Sequence, residues 1–365
     1  VVIVTNIPAP YRLPVYSALA REPGLDLHVV FCGGREPDRQ WDLGAFEFPH
    51  EFLRERWWAF HGRYIHANPD VWKRLTILRP DAVVTTGFNP THLLAFAWAR
   101  SHGVEHLAMT DGTLRSESGL SGLHRLVRHW VYRRSAAFIG ASEGSFELYR
   151  GYGVLPSAMF QSHLCADNAA FTREPERTRH VDLLFCGRFV SLKRPLFALD
   201  VAAEVARRLR RRVRIRFLGA GPLESQLRER AAQLAGTIDV EFPGFARQHE
   251  LPSHYARAKL LLFPTVGDTW GVVANEACAS GVPVITAPEA GVAGELVRDG
   301  DNGRVLRMDL ATWAKAAAQL LDDEPLRARM AARGRELVRS YDYACAAQGL
   351  ARAVRHAWRG RNPAL

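Results

Sequence analysis

The chain has 365 residues, 47% of them hydrophobic and 24% charged, a balance that excludes a disordered chain and, at this length, a single ordinary core. Its 48 Lys and Arg against 38 Asp and Glu leave a formal charge of +10, which favours anionic partners without choosing among nucleic acid, acidic lipid and phosphorylated substrates. No apolar run approaches the ~18–20 residues of a membrane span, and five scattered cysteines without CxxC spacing argue against a disulfide framework or a zinc site.

Those thiols (Cys32, Cys165, Cys186, Cys278 and Cys345) are expected to be buried and inert in a reducing compartment. The sequence opens directly in VVIVT, with no initiator Met and no charged leader. No export signal is therefore expected, and the expected location is cytoplasmic. Almost all the basic charge is Arg; the lysines are Lys73, Lys193, Lys259 and Lys315.

Short β-branched runs alternate with amphipathic segments, the pattern of parallel α/β architecture. In the first half the strands fall at 1–5, 26–32, 81–87, 105–110 and 136–141. A helix is expected in YRLPVYSALAR, where Leu13, Tyr16 and Leu19 share a face. The polar stretch 172–180 reads as a linker. The second half repeats the rhythm, with strands at 181–186, 213–219, 238–244, 259–264 and 282–287. A helix at 194–210 and a pair of Arg/Ala-rich helices from about 310 to 358 follow the same reading. The expectation is two doubly wound domains facing a central cleft, at 1–171 and 181–340. A C-terminal helix over 341–365 should pack back towards the first domain. Ligands bind at the carboxyl ends of the strands in such sheets.

Four features of the second half fall after consecutive strands. Arg188 and Lys193, five residues apart after strand 181–186, suit a diphosphate: Arg forks onto two oxygens and Lys adds a point charge. A solvated basic loop is the competing reading. Gly219 opens a GAGP turn in which a backbone can approach a ligand closely, or which is simply a tight turn. The stretch 243–255 leads out of the next strand and could hold a nucleobase through backbone groups. The fourth feature is the segment 263–287, in which Asp268 precedes a helix expected near Trp270 and Glu276 follows eight residues later. At ~1.5 Å per residue the carboxylates would lie about 12 Å apart, too far for one acid/base pair but matching the span from hexose to ribose in a nucleotide sugar. The N–H groups of Trp270, Gly271 and Val272 would offer a positive helix end to the donor phosphate. An N-cap Asp with an unrelated surface Glu is the alternative.

Taken as a set, Gly187-Arg188…Lys193, Gly219-x-Gly221-Pro222, Asp268…Glu276, Gly281-Val282-Pro283-Val284-Ile285 and Gly291…Glu295 resemble the retaining glycosyltransferases of the GT-B fold, family four of the usual classification (glycosyl transferases group 1). The resemblance covers about 181–310. It implies two Rossmann-like domains, a nucleotide-sugar donor (UDP by default) held by the second, and a hydroxyl acceptor on the first. It further implies that Arg188 and Lys193 bind the donor diphosphate, Glu276 the ribose and Asp268 the transferred sugar. Front-side transfer with retention follows from it, with no cofactor and no metal. Departures are Asp268 where relatives carry Glu, Thr110 followed by Asp111 where many carry a His, which makes Asp111 the second catalytic candidate beside Asp268, and Val292 in place of a second Gly. The first loop, 6–12, lacks paired glycines, although Arg12 can reach an anionic group.

Aromatic and basic residues interleave at 54–66 and 124–134. They read either as a peripheral patch for an acidic membrane face, with a glycan, lipid-linked or small-molecule acceptor, or as amphipathic helices packed on the sheet. A non-catalytic nucleotide-sugar binder is the alternative to an enzyme. A nucleic-acid binder has only charge in its favour, and a nicotinamide dehydrogenase lacks the glycine fingerprint after the first strand.

Overall fold

The computed structural model describes residues 1–37, 43–60, 63–172 and 179–361, which divide into two compact units. Unit 1 comprises residues 1–165 and 343–365, and unit 2 residues 166–342.

Unit 1 contains β1 (Val2–Thr5), α1 (Leu13–Ala20), β2 (His28–Phe31), β3 (His50–Phe52), β4 (Trp57–Phe60), β5 (Arg63–His66), α2 (Val71–Leu78), β6 (Ala82–Thr85), α3 (Pro90–Ser101), β7 (Glu105–Thr110), α4 (Gly122–Tyr132), β8 (Ala137–Gly140), α5 (Glu143–Gly151) and β9 (Met159–Gln161). Seven strands form one sheet in the order β3-β2-β1-β6-β7-β8-β9, with every pairing parallel. Val2, Ile3 and Val4 are all buried, as are Val29, Val30 and Phe31, because helices cover both faces of a parallel sheet at its inner strands. Strand order reverses at β1, whose neighbours are β2 and β6.

Unit 2 runs α6 (Asn168–Thr172), β10 (Val181–Cys186), α7 (Pro195–Leu209), β11 (Val213–Leu218), α8 (Glu224–Gln233), β12 (Ile238–Gly244), α9 (Leu251–Ala256), β13 (Ala258–Phe263), α10 (Val272–Ala279), β14 (Val284–Thr286), β15 (Gly303–Val305), α11 (Leu310–Asp322) and α12 (Glu324–Val338). Its six-stranded parallel sheet has the order β12-β11-β10-β13-β14-β15, so the reversal falls at β10, flanked by β11 and β13. Pro195 opens α7 at a position where its missing N–H costs nothing. Ala198, Leu199, Ala202, Val205 and Ala206 of α7 meet Trp313 and Ala317 of α11 in the core.

The helix α13 (Tyr343–Arg361) returns to unit 1, where Ala346, Leu350, Ala353 and Ala357 join Leu13, Tyr16 and Leu19 of α1 in one core. Gly349 is required there: a Cβ would lie 1.7 Å from the Gln161 carbonyl oxygen at the end of β9.

Several expectations need correction. Unit 2 begins at Ala166, not after 171, because Phe171 is buried edge-on against Tyr255 at 5.5 Å and Asn168 donates to the Val338 and Tyr341 carbonyls. Most of the expected linker, 173–178, lies outside the described residues. Three helices, not two, follow residue 310, since Asp323 ends α11 and caps α12 with Pro325 in its first turn. Among the described residues of 54–66 there is no helix: β4 and β5 pair antiparallel, with Trp57 opposite His66. Cys345 is exposed, unlike the buried Cys32, Cys165 and Cys278.

Candidate functional site

In unit 2 the loops after β10, β11 and β13 emerge at the carboxyl edge of the sheet, around the switch in strand order. Backbone hydrogen bonds lace them together. Gly187 N–H donates to the Leu218 carbonyl and Phe189 N–H to that of Ala220, each at 2.9 Å. Arg188, exposed, sits between these two anchored neighbours. Gly219 adopts φ +136°, and a Cβ there would stand 2.0 Å from the Gly187 oxygen. The glycine is thus demanded by the adjoining loop as well as by any ligand.

The loop after β13 is joined to the same platform, with Val266 N–H donating to Leu192 O at 3.0 Å. Lys193 lies in the turn Ser191–Lys193. It forms an ion pair with Asp268 Oδ2, and its Nζ is 5.1 Å from the centre of the Phe263 ring. The other carboxylate oxygen of Asp268 accepts the Trp270 N–H at 3.2 Å, and its carbonyl accepts the Gly291 N–H at 2.9 Å. Gly291 has no room for a side chain: a Cβ would be 2.0 Å from Thr269 O. Gly271, at φ +110°, packs against the same Phe263 ring, which a Cβ would meet at 2.3 Å. Lys193, Asp268 and Gly271 are therefore brought to one place. The helix behind Gly271, α10, has no side-chain N-cap, leaving its first-turn N–H groups and dipole without a protein carboxylate at that position.

Three expected details are different. The helix starts at Val272, so Asp268 precedes it in an irregular segment and helical rise does not set its separation from Glu276. The Trp270 N–H is engaged by Asp268 and not held open for a phosphate. Its indole is buried, donates to Asn275 at 2.8 Å and stacks on Tyr341. Glu276 is also buried, and its Oε2 accepts the Tyr255 hydroxyl at 2.6 Å. Burial pushes the Glu276 carboxyl up to about 7, opposed by that hydrogen bond. The neighbouring Cys186 thiol at the end of β10 is pushed up to about 12, by burial first and by the Glu276 charge second. Tyr255 comes from the stretch 243–255, where sequence alone offered no specific role for it. Phe263, which supports both Lys193 and Gly271, had no signal beyond being apolar at a strand end.

Unit 1 has its own polar cavity of ≈ 210 Å³ at the carboxyl ends of β1, β6 and β7. Thr5, Asn6, Arg12, Glu36, Thr86, Thr110 and Asp111 are among its lining residues. Thr86 Oγ1 donates to Thr5 Oγ1 at 3.0 Å, and Asn89 donates to Asn6 Oδ1 at 3.0 Å. Arg12, ahead of α1, donates from Nη1 to Ser162 O, Ser162 Oγ and His163 O at 3.2, 3.3 and 3.4 Å. Burial, joined by the Arg12 charge, pushes the His163 imidazole down to about 4. Glu36 meets the buried His66 at 3.0 Å. Asp111 is exposed at the end of β7. Arg12 and Asp111 thus share a cavity in unit 1, while the other expected residues gather in unit 2.

Among the described residues no group of three or more His, Cys, Asp or Glu is placed to hold a metal ion, and no helix is long and apolar enough to cross a membrane.

Residues 168–337 match the family model described as Glycosyl transferases group 1. That match lies within the second unit, and the fold is GT-B, with two Rossmann-like halves. Its similarity to particular proteins is of two kinds. In sequence, it is 35% identical over 185 residues to the D-inositol 3-phosphate glycosyltransferase of Frankia alni, covering 48% of this chain and 45% of that protein. The matched part is less than half the length of this relative. In structure, it superposes on Anabaena Alr3699/HepE in complex with UDP and glucose with a TM-score of 0.74 and 17% identity, over 97% of this chain and 98% of the other. A glycosyltransferase from Rickettsia africae gives a TM-score of 0.75 at 13% identity, over 98% of each chain. These two likenesses concern the fold.

Proposed function

We propose that the protein is a retaining, metal-independent glycosyltransferase. In this reading unit 2 holds a nucleotide-sugar donor, UDP-linked by preference, and unit 1 presents a hydroxyl acceptor: a glycan, a lipid-linked sugar or a small molecule. The observation that carries the proposal is the junction of Lys193, Asp268 and the uncapped start of α10 at the strand-order switch of unit 2. A cation and a helix N-terminus suit a leaving diphosphate, and the carboxylate paired with that cation suits the hydroxyls of the sugar attached to it. The Anabaena neighbour's complex with UDP and glucose supports the choice of nucleotide.

The reaction proceeds with the bond from the acceptor oxygen to the anomeric carbon forming on the face from which the bond to the diphosphate breaks. The departing phosphate oxygen takes the acceptor proton. Arg188, Lys193 and the α10 dipole stabilise the negative charge that grows on the leaving group. Lys193 keeps two of its three N–H donors for phosphate while one stays with Asp268. Glu276, steadied by Tyr255, orients the ribose.

Calorimetric titration with UDP, GDP and dTDP tests the donor assignment. UDP should bind, and Arg188→Ala and Lys193→Ala should each weaken it by about 10- to 100-fold, the loss of a charge-assisted hydrogen bond of ~1.5–3 kcal/mol. Unchanged affinity in both variants would reject the site. Transfer that continues in EDTA, and a product whose anomeric configuration matches the donor's, are the expected results for the metal-independent, retaining course.

The proposal includes peripheral contact with an acidic membrane from the cytoplasmic side. Leu123, Leu126 and Trp130 are exposed at i, i+3 and i+7 of α4, with exposed Arg125, His129 and Arg133 around them. An apolar stripe flanked by cations suits an anionic interface.

A further inference from the structure

The chain enters unit 2 between residues 165 and 166 and leaves it between 342 and 343, and each connection is packed onto a residue of the donor site. Near the first, Phe171 of α6 lies edge-on at 5.5 Å against Tyr255, whose hydroxyl holds Glu276. Near the second, the ring of Tyr341 stacks on that of Trp270, with centroids 5.5 Å apart and 29° between the planes. Trp270 is fully buried, and each of its polar groups serves the loops of the site. Its N–H donates to Asp268 Oδ1 at 3.2 Å, its carbonyl accepts the Val292 N–H at 3.0 Å, and its indole donates to Asn275 at 2.8 Å. Asn168 ties the two connections together, donating from Nδ2 to the Val338 and Tyr341 carbonyls at 3.0 and 3.2 Å. Tyr341 also lies near the loop that follows Gly291: burial first and the Glu295 charge second push its hydroxyl up to about 12.

We propose that Tyr341 is a positioning residue of the nucleotide site: its ring, stacked on Trp270, holds the 268–271 loop in the form that accepts the donor, and bound nucleotide in turn stiffens both connections of unit 2. The inference rests on the assignment of the donor to unit 2 made above. Trp270 is the part that both sides bias. Asp268 holds its backbone N–H, Tyr341 sets the plane of its ring, and a close-packed interior leaves little room for one end to move without the other. Lys193 joins the same chain of contacts, because its ion pair is to Oδ2 of Asp268 while the Trp270 N–H goes to Oδ1. Phosphate that draws Lys193 away leaves the Asp268 charge to the Trp270 N–H, which tightens that link. Phe171 and Tyr255 give the first connection a similar path from Glu276, the residue that orients the ribose in this reading. Coupling of this kind is reciprocal: what the stack adds to nucleotide affinity, the nucleotide returns as order at 338–343. Tyr341 acts through Trp270 and takes no part in bond making.

Amide hydrogen exchange of the whole chain, with and without UDP, tests this. In the unaltered protein saturating UDP should slow exchange at 268–276 and also, several-fold, at 166–172 and 338–343. Tyr341→Ala should weaken UDP binding by about two- to tenfold, the scale of one aromatic stack. At saturating UDP it should keep the protection at 268–276 and lose that at 338–343. Tyr341→Phe, which keeps the ring, should restore both the affinity and the protection. A tyrosine that served the fold alone would lower the denaturation midpoint when replaced, without separating the two responses. UDP that binds the unaltered chain without slowing exchange at 338–343 overturns the inference, and that measurement needs no variant should Tyr341→Ala not fold. Tyr341→Ala protein whose affinity and protection both match those of the unaltered chain overturns it as well. A failure of the donor reading is distinct: UDP would not bind the unaltered chain at all, and the inference would fall with that reading.

Discussion

The hydroxyl of Tyr255 in α9 donates to Glu276 of α10 at 2.6 Å, and both side chains are buried. This one bond fixes the orientation of the carboxylate and partly offsets the cost of burying it. Burial still prevails, holding the carboxyl near 7 against an ordinary 4.5.

A pH dependence of stability follows. Between those two values the folded protein keeps a proton on Glu276 that the unfolded chain has released. The contribution is therefore full below about pH 4.5 and lost as the pH rises through about 7. Urea unfolding of the unaltered protein and Glu276→Gln at pH 5 and pH 7.5 should show the variant with the flatter response, the difference being on the order of a few kcal/mol. Tyr255→Phe should steepen the loss, because it removes the donor that favours the charged form. An identical pH response in Glu276→Gln would contradict the assignment.

Lys193 and Asp268 should separate nucleotide binding from transfer. Asp268→Asn removes the carboxylate expected to meet the sugar and releases Lys193, so UDP affinity should stay within about threefold while turnover falls by about 100-fold or more, the usual scale for a lost transition-state contact. Lys193→Ala should do the reverse first, raising the UDP dissociation constant. Equal loss of UDP affinity in both variants would mean that the two side chains serve only the local fold.

Gly271→Ala should be poorly tolerated, since φ is +110° and the new methyl carbon would meet the Phe263 ring at 2.3 Å. A destabilisation of about 2–4 kcal/mol is expected from the backbone and overpacking together, read as a lower denaturation midpoint. Combining it with Phe263→Leu should recover part of the loss by opening space, leaving the backbone component. No recovery would place the whole cost in the backbone.

For the membrane proposal, replacing Leu123 and Leu126 by Ser, and leaving Trp130 because its ring packs edge-on against the buried Phe96 at 4.9 Å, should leave stability within about 1 kcal/mol, as for exposed positions generally. Sedimentation with phosphatidylglycerol vesicles should fall sharply and be weak with neutral vesicles for either protein. Equal co-sedimentation of the variant and the unaltered protein would remove α4 from the contact.

Much of the architecture was legible because parallel strands buried on both faces are written as unbroken apolar runs, such as Val181–Cys186 and Ala258–Phe263. The strands β3, β9 and β15 have three residues each, too short to carry a period. The antiparallel pair β4–β5 escaped because Trp57 and Trp58 are adjacent, which breaks the alternation a strand would show, and Trp58 and Phe60 are exposed. Among the candidate site residues, Lys193, Asp268 and Gly271, which the structure brings together, were singled out by order along the chain. The partner of Glu276 was not. Tyr255 lies 21 residues before Glu276, and only the packing of α9 beside α10 reveals the bond. Trp270 shows the opposite error: adjacency to Gly271 suggested a free backbone N–H, whereas that N–H is held by the Asp268 carboxylate at 3.2 Å.

The return of α13 to unit 1 makes synthesis and folding run out of order. Residues 1–165 leave the ribosome first, yet the face formed by α1, β8 and β9 stays uncovered until 343–361 have been made. Unit 2, contiguous in the chain, can close on itself while its elder neighbour waits. The nascent protein thus carries an apolar surface through the whole translation of the second unit, which makes that interval the natural moment for chaperone capture.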